Sequence, residues 1–232
     1  MKKVQRLIVI WVICFVSCYF MPVCAVYDVI GLNNFSKTQN YTAEIFSDVP
    51  NSAWYYNNVV SVYEYELMLG KSSGIFAPID NISVAESIAL TVRINYIYFH
   101  NAPIILDLYE DVSWYEPYVS IALDEGLVKE TYLDYNAPAT RAQFAEILAA
   151  SIDPLDFEEI NWIDDGTIPD VPVDADYADA VYMLYRAGVL AGSDDAGSFN
   201  PNSTITRAEA AAVITRIIDP NLRQTTELNG NY

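Results

Sequence analysis

Residues 203–218 read STITRAEAAAVITRII, and the organisation of the whole chain follows from this stretch. Thr206 and Glu209 have the spacing of a capping box. In such a box the cap hydroxyl accepts a hydrogen bond from the Glu amide, and the carboxylate accepts one from the cap amide. Apolar side chains then recur at helical spacing, so we predict a helix that begins at Arg207. A cation in the first helical turn opposes the helix dipole, and Arg207 therefore requires another explanation.

The same box occurs twice more, as Ser83-Val84-Ala85-Glu86 and as Thr140-Arg141-Ala142-Gln143. Three boxes spaced roughly 60 residues apart indicate an internal repeat. In each copy a helical apolar pattern comes first, a loop with turn-forming residues follows, and the capped helix comes last. One such unit has too little apolar surface to fold alone, so we expect three units to share a core.

These patterns divide the chain into a signal peptide, a flexible lead-in, three repeats and a tail without regular structure. The predicted segments are 1–25, 26–44, 45–100, 108–153, 166–219 and 220–232. Within the first repeat, we expect the first helix to end near Gly70.

The first segment has the organisation of a secretory signal peptide. Three basic residues precede an apolar run at 7–20, and small residues around Ala25 predict cleavage after that residue. The run is short for a spanning helix, which needs roughly 20 residues. A retained membrane anchor and a lipoprotein modified at Cys18 are the alternatives. We expect the chain to be secreted to the bacterial cell surface.

Composition limits the partners of the exported chain. All three cysteines, Cys14, Cys18 and Cys24, lie in the leader, so the exported chain would depend on its apolar core rather than on disulfides. The sequence has a formal net charge of −19, and the leader holds three of its cations. Such a surface repels nucleic acid and anionic membranes, so any anionic ligand must be met by locally placed Arg or amide groups. We expect no nucleic-acid partner, and no membrane-spanning segment once the leader is removed.

Known catalytic and metal-binding constellations find little support. The chain has one histidine, His100, so a Cys/His dyad or a thiolate zinc site is excluded in the exported chain, and a serine triad has one candidate base. The acidic loop at Asp194 and Asp195 lacks the EF-hand pattern. No local signature singles out a pair of carboxylates for glycoside hydrolysis. We expect a protein that is not an enzyme and that holds no metal or cofactor.

The repeat resembles the S-layer homology repeat. That family has Asp-Val, an aromatic residue a few positions later, a helix that ends in Gly, a Gly-x-Phe-x-Pro loop and Thr-Arg-Ala-Glu. In the third repeat, 188–192 read GVLAG and 197–209 read GSFNPNSTITRAE, which are very close to this pattern. The resemblance extends from Phe46 to Ile218. It implies an all-α, pseudo-threefold trimer in which the three capped helices form a central bundle and a groove separates adjacent repeats.

The resemblance also implies a function. S-layer homology trimers bind secondary cell wall polysaccharide non-covalently, typically through a terminal N-acetylmannosamine that carries an anionic pyruvate ketal. An Arg at a helix start would meet that anion with its guanidinium fork and with free amides of the helix N-terminus. We therefore interpret the chain as a secreted cell-wall-anchoring module. The alternative is a degenerate trimer that acts as a structural component of the cell envelope by contacting other envelope proteins.

Candidate ligand-binding residues follow from the resemblance position by position. They are the arginines Arg207 and Arg141, the aromatic residues Trp54 and Trp114, the groove-floor glycines Gly70 and Gly192, and the acids Asp48, Asp111 and Asp170. Three positions depart from the family pattern: Val84 replaces the Arg of the first repeat, Glu130 the glycine of the second, and Asp176, beside Tyr177, the aromatic residue of the third. We predict that the groove of the first repeat is weakened or inactive.

Each assignment competes with a structural role. The capping boxes already account for six residues, which we assign to helix capping: Ser83, Glu86, Thr140, Gln143, Thr206 and Glu209. We assign Arg141 and Arg207 to the ligand in preference to surface salt bridges, whereas Arg93 and Arg216 suit the C-terminal ends of their helices. For the tryptophans, stacking on a sugar and filling the core are both open, and the Asp residues either cap loops or bond to sugar hydroxyls.

Overall fold

The computed structural model describes residues 30–106, 111–129 and 131–228. These residues contain three short 3-10 turns, Leu32–Asn34, Pro154–Asp156 and Pro220–Leu222, and six α-helices. The helices are α1 Tyr56–Glu64, α2 Val84–His100, α3 Glu116–Asp124, α4 Arg141–Ala149, α5 Ala178–Arg186 and α6 Arg207–Ile218. The predicted all-α fold is confirmed. The predicted signal peptide and its cleavage site lie outside the described residues.

The three capped helices begin at the residues that the sequence predicts. In α2 the Ser83 hydroxyl accepts a hydrogen bond from the Glu86 amide and the Glu86 carboxylate accepts one from the Ser83 amide, at 3.1 and 2.8 Å. Thr140 with Gln143 and Thr206 with Glu209 form the same reciprocal pair at the start of α4 and α6. Each box fixes the first turn of one helix because it satisfies two amides that have no partner within the helix.

A closed ring of backbone hydrogen bonds joins the three repeats just before their caps. The Ile82 amide donates to the Ile205 carbonyl at 3.0 Å, the Ala139 amide to the Ile82 carbonyl at 2.9 Å, and the Ile205 amide to the Ala139 carbonyl at 3.4 Å. All three residues are buried. The capped helices therefore start from one common hub, which gives the chain its threefold arrangement.

The first two amides of each capped helix donate to the loop of a neighbouring repeat. The contacts run in one direction, from α2 to the second repeat, from α4 to the third, and from α6 back to the first. The pairs are Val84 with Ala137, Ala85 with Tyr135, Arg141 with Ser203, Ala142 with Pro201, Arg207 with Asp80, and Ala208 with Pro78, at 2.8–3.0 Å. Each repeat thus completes the helix start of another one.

Apolar packing follows the same cycle. The helices α2, α4 and α6 pack on α3, α5 and α1 respectively, so each capped helix lies against the short helix of the next repeat, and α2 also packs on α4. Side chains from all three repeats form one buried cluster, which includes Phe76, Ile88, Phe144, Leu148, Phe199 and Ile214. No helix in the described ranges has the length and apolar character needed to cross a bilayer.

The predicted end of the first helix needs correction. The first helix ends at Glu64 rather than near Gly70, because the chain turns at Glu66, which adopts a left-handed conformation with φ 57°. Glycine holds the equivalent positions, Gly126 and Gly188, in the other two repeats. A non-glycine residue in this conformation is uncommon, and the sequence therefore gives no sign of the turn.

The lead-in and the tail, for which the sequence predicts flexibility and no regular structure, contact the repeats where the structure describes them. The amides of Thr38 and Gln39 donate to the Glu64 carbonyl at 2.9 and 3.1 Å. In the tail, the Gln224 amide donates to the Gly188 carbonyl at 2.8 Å, and the Arg223 guanidinium bonds to the Asp156 carbonyl at 2.7 Å. Both segments extend the ordered unit beyond the three repeats.

Replacing Thr140 by Ala tests the cap at the start of α4, because it removes the hydroxyl that accepts from the Gln143 amide at 3.2 Å. Loss of such a cap costs about 1 kcal/mol and lowers the Tm of a chain of this size by about 2–4 °C. Thermal unfolding followed by circular dichroism measures the change. The matched control is Thr225→Ala, an exposed threonine of the tail, and an equal drop in both variants would contradict the capping role.

Candidate functional site

A cleft opens between the first and second repeats, and residues from all three repeats line it. Two adjoining cavities of about 620 and 410 Å³ share Lys71, Glu86 and Trp114. Gly70 comes from the first repeat, Trp114 from the second, and Arg207 from the start of the third capped helix. We call this the Trp114 cleft. The site is therefore built by the cyclic packing of the repeats and not by any one of them.

Arg207 lies at the base of this cleft as an inter-repeat clamp. Its Nε donates to the Phe76 carbonyl at 2.9 Å, its Nη1 donates to the Glu86 carboxylate at 2.6 Å, and its guanidinium lies 5.0 Å from the centre of the Phe76 ring. The residue is 4% exposed. Burial lowers the pKa of Arg207 from its ordinary value, and the neighbouring Glu86 carboxylate opposes that shift. The guanidinium therefore ties the third repeat to the first, and the predicted contact of Arg207 with a ligand stays a prediction.

Arg141 makes the same set of contacts between the second and third repeats. Its Nε donates to the Phe199 carbonyl at 2.7 Å, its Nη1 lies 3.3 Å from the Glu209 carboxylate, and the guanidinium lies 5.3 Å from the centre of the Phe199 ring. The Arg141 side chain is 12% exposed and that of Glu209 is 40% exposed, so this clamp is nearer to solvent. Arg141 is therefore also tied to a neighbouring repeat, and its contact with a ligand likewise stays a prediction.

The expected free amides at the helix starts are also occupied. In α6 the amide of Thr206 donates to the Glu209 carboxylate, those of Arg207 and Ala208 to carbonyls of the first repeat, and that of Glu209 to the Thr206 hydroxyl. The other two capped helices repeat this arrangement. What each clamp leaves available is the Nη2 edge of its guanidinium, which makes no hydrogen bond to another described residue.

Where the clamp Arg is missing, its partners have changed as well. Val84 occupies the Arg position of α2, and the residues that match Phe76 and Glu86 in the next repeat are Leu133 and Gln143. Leu133 is fully exposed. A neutral Gln still completes the capping box, and it avoids an unpaired carboxylate where no guanidinium is present. This joint change supports the clamp as the main structural role of the Arg.

The aspartates and glycines of the predicted site hold the loops in shape. The Asp48 carboxylate accepts hydrogen bonds from the Phe76 and Ala77 amides at 2.9 and 2.7 Å. Asp170 accepts equivalent bonds in the third repeat, whereas Asp111 is exposed. A Cβ atom on Gly70 would lie 2.7 Å from the Ile75 carbonyl oxygen, and one on Gly192 would lie 2.3 Å from the Cα atom of Gly197. Asp48 and Gly70 therefore shape the loop of the first repeat, and Asp170 and Gly192 shape the loop of the third. Glu130 lies outside the described residues.

The two tryptophans are at the surface. Trp114 is 44% exposed beside the cleft and Trp54 is 65% exposed at the start of α1. Each contacts the following tyrosine edge-on. Of the two roles left open by the sequence, core filling does not fit such exposure, and the indole faces are accessible to a ligand. At the matching position of the third repeat Asp176 is exposed, and Tyr177 beside it is partly buried.

The sequence reasoning missed Lys71. This residue follows Gly70 and lines both cavities of the Trp114 cleft. Its ammonium lies 3.6 Å from the Asp80 carboxylate, and 40% of its side chain is exposed. Lys71 is therefore the accessible cation that Arg207 does not supply. The sequence does contain a signal for this residue. Lys71 is basic, whereas Thr131 and Ser193, which follow the matching positions of the other two repeats, are uncharged.

The remaining candidate groups have structural partners. Arg93 bonds to the Leu67 carbonyl and the Tyr118 hydroxyl, and Arg216 bonds to the Val189 carbonyl. Hydrogen bonds from the Ser198 and Ala196 amides hold the pKa of Asp194 below its usual range. Across the described ranges no three His, Cys, Asp or Glu side chains are grouped so that they would hold a metal ion.

Comparison with known proteins gives two findings. The family model described as S-layer homology domain matches residues 45–86 and 168–211, which fall in the first and third repeats. The surface-layer 125 kDa protein of Lysinibacillus sphaericus is 29% identical to this chain over an alignment of 121 residues, and the match covers 48% of this chain and 10% of that protein. The chain therefore spans about a tenth of the length of that relative.

A double-mutant cycle tests the clamp of Arg207 and Glu86. Arg207→Val alone leaves the Glu86 carboxylate, whose side chain is 20% exposed, without its partner, so we expect a loss of about 3 kcal/mol in the free energy of unfolding. Adding Glu86→Gln recreates the native combination of Val84 and Gln143 and should recover most of that loss. Urea unfolding of the wild type, the two single variants and the double variant gives the coupling free energy between Arg207 and Glu86. Additive effects of the two substitutions would contradict the clamp.

Proposed function

The chain belongs to the S-layer homology domain family, and from this premise we propose that it attaches non-covalently to the cell wall by binding an anionic polysaccharide in the clefts between its repeats. A cell-wall-anchoring role is the general function of this family. The finer part of the proposal is the ligand, a saccharide that carries a carboxylate such as a pyruvate ketal on N-acetylmannosamine. The observation that carries it is the Trp114 cleft, where an exposed indole and an exposed ammonium line one cavity.

The chemistry of the cleft suits an anionic sugar. The apolar face of a sugar ring packs on the face of an aromatic ring, and Trp114 offers an accessible one. A carboxylate on that sugar pairs with the Lys71 ammonium and accepts a further bond from the Nη2 edge of Arg207. Glu86 lies 2.6 Å from the buried Arg207 guanidinium, whereas Asp80 lies 3.6 Å from the Lys71 ammonium and both of those side chains are exposed. We therefore assign the larger share of the attraction to Lys71, whose ion pair is the weaker one.

The charge of the whole chain makes these local groups necessary. With a formal net charge of −19, the molecule repels a polyanion at long range, and the repulsion is screened over about 8–10 Å at physiological salt. A cation within the cleft acts inside that distance. The ligand therefore binds through direct contacts and not through the overall field.

Trp114→Ala tests the aromatic contact. Removal of the indole should weaken binding to purified pyruvylated wall polysaccharide roughly tenfold, since an aromatic contact of this kind contributes about 1 kcal/mol or somewhat more. Co-sedimentation with the polysaccharide measures it. Trp162→Ala is the matched control, because Trp162 is fully exposed and does not line the Trp114 cleft. Retention of full binding in Trp114→Ala would contradict the proposed role of the indole.

Lys71→Ala tests the charge contact and the nature of the ligand. We expect binding to pyruvylated polysaccharide to fall by about tenfold, in line with a charge-assisted hydrogen bond, whereas exposed Lys129 replaced by Ala should have no effect. Mild acid removes the ketal, and wild type and Lys71→Ala should then bind the stripped polymer equally weakly. If the wild type binds neither polymer, the proposal fails in favour of a protein-docking role in the envelope.

A further inference from the structure

The cyclic packing determines which residues share a cleft. In the Trp114 cleft, the loop of the first repeat, the tryptophan of the second and the Arg of the third meet. Shifting every position by one repeat gives a second cleft, and shifting by one more repeat gives the third. One combines Gly192, Trp54 and Arg141, and we call it the Trp54 cleft. The other combines Val84 and Asp176 with α4, and we call it the Asp176 cleft.

Contacts in the structure support both of these combinations. For the Trp54 cleft, Arg141 reaches Glu209 of α6, and α6 packs on α1, whose start follows Trp54. For the Asp176 cleft, the Val84 amide bonds to the loop of the second repeat beside α4, and α4 packs on α5, whose start follows Asp176. Each cleft therefore has the same skeleton and differs in its side chains.

Departures from the family pattern that come from different repeats meet in the Asp176 cleft. Val84 removes the guanidinium, and Asp176 replaces the tryptophan with a carboxylate. The floor changes as well: Ala89 of α2 lines the Trp114 cleft, Ala212 has the matching position in α6, and Glu146 has it in α4. One cleft thus loses its cation and its indole and gains two carboxylates, while the other two keep the family residues at these positions. In the Trp54 cleft Ser193 has the position of Lys71, so its cation is Arg141, whose side chain is 12% exposed against 5% for Arg207.

We infer that the chain binds two anionic saccharide units, one in the Trp114 cleft and one in the Trp54 cleft, and that the Asp176 cleft binds none. The inference rests on the proposed function, since it concerns the same ligand. It differs from the sequence-based prediction, which assigns the weakened or inactive groove to the first repeat. Val84 belongs to the first repeat, but it lies against the second repeat and affects the cleft there.

Counting bound ligand tests the inference. Titration calorimetry of the full chain with a soluble methyl glycoside of pyruvylated N-acetylmannosamine should give two sites per chain. Trp114→Ala and Trp54→Ala should each weaken one of the two sites roughly tenfold and leave one site of full affinity, and the double variant should have no site of full affinity. Asp176→Ala and the surface control Trp162→Ala should both leave two sites. Unchanged thermal unfolding of the variants verifies that they fold, as expected for exposed side chains.

The outcomes separate the inference from the proposed function. Three sites in the wild type, or a site lost in Asp176→Ala, would overturn the inference and leave the proposed function standing. One site that disappears in Trp114→Ala alone would also overturn it, because the Trp54 cleft would then be inactive. No binding by the wild type would overturn the proposed function, and the inference with it.

Discussion

Three backbone hydrogen bonds between Ile82, Ala139 and Ile205 close the molecule into a ring. Each capped helix starts at this ring, and its first amides donate to carbonyls of a neighbouring repeat. Helix ends need such partners, since a buried amide without one costs about 1–3 kcal/mol. A single repeat would leave both these amides and its apolar face uncovered. The ring therefore explains why three short units form one stable core, and why every cleft is shared among repeats.

The ring consists of main-chain groups, so it persists when side chains change. The Arg–Glu clamps, in contrast, depend on their side chains. Arg207 with Glu86, and Arg141 with Glu209, strengthen two of the three junctions. The junction of the first repeat with the second has Val84 and Gln143 instead, and its backbone bonds are nevertheless intact. A neutral pair costs no desolvation of charge. A junction therefore persists without the clamp Arg, so its folding does not depend on the side chain to which we assign a part in ligand recognition.

Local patterns in the sequence predict local structure well. The capping boxes identify the starts of α2, α4 and α6 because both partners lie three residues apart. The sequence does not reveal the inter-repeat contacts of Arg207 for the opposite reason, since its partners Phe76 and Glu86 are 131 and 121 positions away and belong to another repeat. Similarly, Glu66 adopts its left-handed turn without a glycine, and the lead-in packs on α1 with no periodic signal. The spacing of residues along the sequence does not predict partners that lie so far apart in the chain.

Residue-by-residue comparison with a repeat family assumes that the residues of one repeat form one site. In this fold that assumption fails, because a cleft takes its loop, its aromatic residue and its Arg from three different repeats. Departures from the family pattern that are scattered over several repeats in the sequence can then lie in one cleft. Val84 of the first repeat and Asp176 of the third are an example. In the two-site arrangement that we infer, the chain has two points of attachment on one rigid body. Two contacts to a repetitive polymer raise the effective affinity well above that of either contact alone, so anchoring would persist without the third cleft.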